Sequence, residues 1–106
     1  MKGSKMAKET SLSERIIDIC ERNKNLNSAL DDFYRFIKKE YDTQISFCEI
    51  YGKRWSFLTG SEKGYNTRER LKINDSYGLI YKKGQLNIKQ LQEIKIWSKK
   101  IVEHYE

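Results

Sequence analysis

QISFCEIYGKRWSFLT, residues 44–59, is the stretch on which the fold turns. Upstream of it apolar residues recur at helical spacing. Here they alternate, and β-branched and aromatic residues dominate: Ile45, Phe47, Ile50, Tyr51, Trp55, Phe57 and Leu58. Gly52-Lys53 stands between two alternating runs as a tight turn, which predicts a hairpin of residues 44–51 and 54–59. A polar, glycine-containing loop follows from Gly60 to Tyr65. Alternation then resumes over residues 67–73, and Asn74-Asp75-Ser76 turns the chain into Tyr77 to Lys82, a second hairpin.

Outward from the two hairpins the period becomes helical. On the N-terminal side Leu12, Ile16, Ile19, Leu26, Leu30, Phe33 and Ile37 keep one face. Ser11 with Glu14 makes a capping box at the start of this run, and Asn23-Lys24-Asn25 interrupts it. Two helices with a break near residues 23–27 are expected, capped at Asn27 or Ser28; one long helix to Tyr41 is the alternative. On the C-terminal side Lys83-Gly84 closes the last strand and Asn87 offers an N-cap. Leu91, Ile94, Trp97, Ile101 and Tyr105 then form the stripe of a final helix. The predicted class is α+β: a four-stranded antiparallel sheet with the N-terminal and C-terminal helices packed on one face.

The chain has 106 residues, enough for one core, with 38% hydrophobic and 12% aromatic residues to fill it. Residues 1–10 read as a basic flexible tail and 11–106 as one domain. No apolar run reaches the roughly 20 residues of a membrane span, and none of signal-peptide length follows the N-terminus, so a cytoplasmic protein without a membrane partner is expected. Cys20 and Cys48 fit neither a redox pair nor a zinc module and are read as reduced thiols near the core. His104 is the single histidine, which excludes multi-histidine metal sites and is read as solvated in a last helical turn. Asp31-Asp32 and Glu40 with Asp42 are neighbours on helix surfaces and read as solvated charge. No catalytic residue, metal ligand or cofactor is expected, and the protein is not expected to be an enzyme.

Side-chain alternation assigns two faces to the sheet. One collects Ile45, Phe47, Tyr51, Trp55, Phe57, Leu71, Ile73, Tyr77, Leu79 and Tyr81, and the helices are expected to cover it. Phe33, Phe47, Phe57, Leu79, Trp97 and Ile101 should be buried together. The other face collects Arg54, Arg68, Arg70, Lys72 and Lys82 around Cys48, Ile50, Leu58 and Ile80. The net charge is +6, and residues 44–84, with eight Lys/Arg against four Asp/Glu, carry most of it. These nine residues are the expected binding surface for a protein partner or a small anionic ligand; the alternative reading is a solvated charged face.

The helical entry Ser13-Glu14-Arg15-Ile16-Ile17, the break at Asn25-Leu26-Asn27 and the hairpin from Ile45 to Leu58 resemble a GAF domain. So does the passage from Tyr77 to Gly84 into Leu91, Ile94 and Ile101. The resemblance covers about residues 12–105 and implies a GAF/profilin-like scaffold, a regulatory or sensory module that binds a partner or small ligand, and a homodimer formed through the terminal helices. Only Gly60 to Asn66 separates the second and third strands, so the lid of that family is missing, and no family ligand motif carries over. Nucleic acid is the alternative partner. It ranks lower on this reading because the aromatics alternate onto the core face, whereas single-strand platforms expose them.

Overall fold

A computed structural model describes residues 14–61 and 68–106. Ser11, the tail of residues 1–10 and residues 62–67 lie outside the described residues. The N-terminal run breaks where its polar cluster stands. Helix α1 occupies the described residues 14–22, and α2 runs Leu26–Tyr41. The cap of α2 is Asn25, not Asn27 or Ser28: Asn25 is extended (φ −140°), and its side-chain oxygen accepts the Ser28 N–H at 2.8 Å. α2 ends at Asp42, left-handed at φ 51°, whose N–H donates to the Lys38 carbonyl. α3 spans Ile88–His104 behind a capping box in which Asn87 and Gln90 each receive the other's backbone N–H, at 2.7 and 3.1 Å.

The strands are β1 Ile45–Tyr51, β2 Arg54–Gly60, β3 Arg68–Lys72 and β4 Tyr77–Lys82, all antiparallel in the order β2-β1-β4-β3. No helix occurs among the described residues from 42 to 84. The three helices share one cluster with a single side of the sheet: Ile19, Leu30, Phe33, Ile37, Ile94 and Ile101 close on Ile45, Phe47, Ile73, Leu79 and Tyr81. Each such aliphatic or aromatic side chain contributes about 1.5–3 kcal/mol when fully buried. Two polar ties lock the helices at their ends. The Tyr105 hydroxyl donates to the Cys20 and Asn23 carbonyls at the end of α1. Arg22 donates through Nε and Nη2 to both oxygens of Asp32 at 2.8 and 3.1 Å, with Asn23 Nδ2 adding a third bond at 3.1 Å. The Asp31 carboxylate pairs with Arg35 and accepts the Thr59 hydroxyl, so this acidic pair joins α2 to its neighbours.

The first hairpin departs from the expected faces. Gly52, at φ +64°, and Lys53 form a two-residue turn, which pairs Tyr51 with Arg54. Every step back from that turn then matches residues of opposite parity in β1 and β2: Ile50 with Trp55, Glu49 with Ser56, Cys48 with Phe57. Partners across antiparallel strands share a face, so Trp55 and Phe57 lie on the side away from the helices with Cys48 and Ile50. They do not join Phe47 in the core. Phe57 is 45% exposed and Tyr51, beside the turn, 58%. A bulge between Phe47 and Cys48 then resets the register, leaving Leu58 and Thr59 both opposite Phe47 on the helix side. Leu58 packs against the core cluster, and the Thr59 hydroxyl reaches Asp31 of α2 at 2.8 Å. The other expected core members, Phe33, Phe47, Leu79 and Ile101, are buried, with Trp97 packed against them.

Candidate functional site

The side of the sheet that carries no helix among the described residues is built from all four strands. β3 sends Arg68, Arg70 and Lys72 to it, because their partners Lys82, Ile80 and Gly78 on β4 share that side. β1 contributes Ser46, Cys48 and Ile50, and β2 contributes Trp55 and Phe57. No acidic residue occupies a strand position on this face; Glu49 and Glu69 point to the other. Four cations therefore share a surface on which none makes an ion pair among the described residues. Of the nine expected binding residues, seven converge here: Arg68, Arg70, Lys72, Lys82, Cys48, Ile50 and Ile80. Two do not. Arg54 is turned to the opposite side by its pairing with Tyr51, and Leu58 by the bulge.

Trp55 and Phe57 are the site residues that sequence reasoning missed. The signal was the two-residue turn, whose register alone pairs them with Ile50 and Cys48. Trp55 reaches across the sheet, and Gly78 is what permits it. A Cβ at residue 78 would sit 2.4 Å from Trp55 Cζ3 and 2.5 Å from Cη2. The indole thus spans from β2 over β1 to β4, where the Arg70 guanidinium from β3 stands 5.1 Å from the ring centroid. Cys48 is buried beneath this layer at 2% exposure. Burial pushes its thiol pKa up while Arg70 and Arg68 pull the other way, so at neutral pH it is an inert apolar floor rather than a nucleophile.

Two other features complete the surface. A groove of about 380 Å³ between α1 and α3 is lined by Ile17, Cys20, Glu21, Trp97, Lys100 and His104. His104 is exposed in the last turn of α3, its ring edge-on to Tyr105. Among the described residues no cluster of three or more His, Cys, Asp or Glu could hold a metal ion, and no helix is long and apolar enough to cross a membrane. Comparison with family models, curated proteins and solved structures finds no match to this chain.

Proposed function

We propose that the open sheet face binds single-stranded nucleic acid. The observation that carries this reading is that Trp55 and Phe57 share their face with Arg68, Arg70, Lys72 and Lys82. Charge by itself fits equally the small anionic ligand or acidic partner of the GAF-like regulatory reading. The exposed Phe57 and half-buried Trp55, among cations that make no ion pair with the described residues, fit a ligand that alternates phosphate and base. Four-stranded sheets that stack bases on exposed aromatics are a recurring solution to single-strand recognition, and each stacked base is worth about 1–3 kcal/mol. A duplex hides its base faces and would use only the cations.

The chemistry is binding without bond-making. Arg68 and Lys72 on β3 and Lys82 beside Arg68 on β4 hold phosphates, and the rings of β2 take bases. The test is fluorescence anisotropy with a labelled single strand, the matching duplex and a small polyanion, over a series of salt concentrations. Three neutralised phosphates give a slope of about −2 in log K against log salt for a single strand. The triple variant Arg68→Gln, Arg70→Gln, Lys72→Gln should melt like the parent and flatten that slope. Equal affinity for single strand, duplex and polyanion would sink the reading and leave the face to a small anionic ligand or acidic partner.

A further inference from the structure

We infer that Trp55 and Arg70 form a clamp for one nucleobase, which enters between the indole and the guanidinium; this rests on the nucleic-acid reading above. The lower jaw is preformed. With nothing but hydrogen on Gly78, the outer edge of the half-buried indole reaches over β4, and the Arg70 guanidinium stands over its ring. The upper jaw is movable. Arg70 is exposed, has no carboxylate partner among the described residues, and projects from an edge strand on a flexible stem. Its guanidinium carbon, 5.1 Å from the Trp55 centroid, is beyond one stacking interval of about 3.4 Å and short of the two that an inserted base needs, about 7 Å. A rotamer change of Arg70 alone opens that space, since the floor of Cys48, Ile50 and Gly78 belongs to the two central strands and stays in place.

The chemical class that fits is a planar heterocycle with phosphate on its flanks. Both of its faces are used, one by the indole and one by the planar cation, which a lysine cannot imitate. Arg68 and Lys72, two residues to either side of Arg70 on the same strand face, meet the phosphates before and after that base. Purines, with the larger ring face, are the preferred occupants.

The experiment uses the full chain with Trp97→Phe, so that Trp55 is the one remaining reporter of the two tryptophans. It is titrated with a short oligodeoxyadenylate, an abasic deoxyribose-phosphate strand of the same length, and adenosine monophosphate. The base-bearing strand should quench Trp55 and bind about tenfold tighter than the abasic one. Arg70→Lys should bring that ratio close to one while leaving abasic affinity and the salt slope unchanged. Trp55→Phe, which keeps an aromatic filler on the face, should lower the ratio by a smaller factor. Equal binding of the two strands, or a ratio that survives Arg70→Lys, overturns the clamp and leaves the polyanion face standing. Saturation by the mononucleotide at strand-like concentrations keeps the clamp and overturns the strand as its source. Binding of neither strand overturns the clamp together with the reading beneath it.

Discussion

Replacing Gly78 by alanine tests the placement of Trp55 directly. The new Cβ would stand 2.4 Å from Cζ3 of the indole, whereas carbons in contact keep about 3.5–4.0 Å, so the ring must lift by about 1 Å. Overfilling a packed site costs about 1–3 kcal/mol, and removing glycine from a strand interior returns about 0.5–1 kcal/mol. The net loss is about 1–2 kcal/mol, or about 5–10 °C in Tm for a chain of this size. The assay is a thermal melt paired with Trp55 emission in the Trp97→Phe background, where the lifted ring should shift to the red. A double-mutant cycle with Trp55→Ala supplies the control. Without the indole the remaining tight neighbour is the Leu71 carbonyl at 3.2 Å, so Gly78→Ala should there be nearly neutral. If Gly78→Ala is silent with Trp55 present, or equally damaging with it gone, the indole does not lie over residue 78 and the stacking platform fails with it.

Phe57→Ala should cost less than about 1 kcal/mol, because the ring is 45% exposed, whereas Phe47→Ala, fully buried, should cost about 3–5 kcal/mol; chemical denaturation of the two variants separates the faces, and equal losses would contradict the register. Asn87→Ala removes the N-cap and half of the capping box of α3 and should cost about 1 kcal/mol, measured by the same melts; a variant as stable as the parent would mean the box adds nothing. Hydrogen bonds from Arg22 hold the Asp32 carboxyl below the usual carboxylate range, with partial burial opposing them. A lowered folded-state value contributes stability above the unfolded carboxylate pKa and loses it as the pH falls through the folded one. The Tm gap between parent and Asp32→Asn should therefore be level at neutral pH and close in strong acid; a gap undiminished in acid would assign the bond's value to geometry alone.

The element order was legible because each segment's period, caps and turns agree. Asn87, the Gly52-Lys53 turn and the alternation of residues 68–82 all act locally, and local chemistry is what a sequence displays. The helix break was visible at Asn23-Lys24-Asn25, though the capping residue proved to be Asn25, two positions earlier than the polar pair that followed it suggested. The faces of β2 were misjudged for a different reason. Alternation says which residues of one strand share a side, but only the turn says which side of the neighbour they meet, and a two-residue turn changes the parity. The bulge at Leu58 carries no signature among its neighbours: Ser56, Phe57, Leu58 and Thr59 read as an ordinary strand. Seven of the nine expected site residues came together because β3, β4 and β1 are joined to one another without irregularity; Arg54 and Leu58 fell away because the turn and the bulge both act on β2.

The order β2-β1-β4-β3 makes the sheet two hairpins sewn along a single seam, β1 to β4. The rings belong to the outer strand of the first hairpin and the cations to the second, three of them on its outer strand β3 and Lys82 on β4. On the proposed reading neither hairpin alone carries a complete site, so affinity would exist only once the seam has closed. A ligand lying across the face acts as a stitch through that seam, and the free energy it contributes resists the separation of the two halves. Occupancy and integrity of the sheet are then one equilibrium viewed from two ends: whatever loosens the pairing of Phe47 with Leu79 weakens binding at a distance, and whatever fills the face slows the opening of the hairpins beneath it.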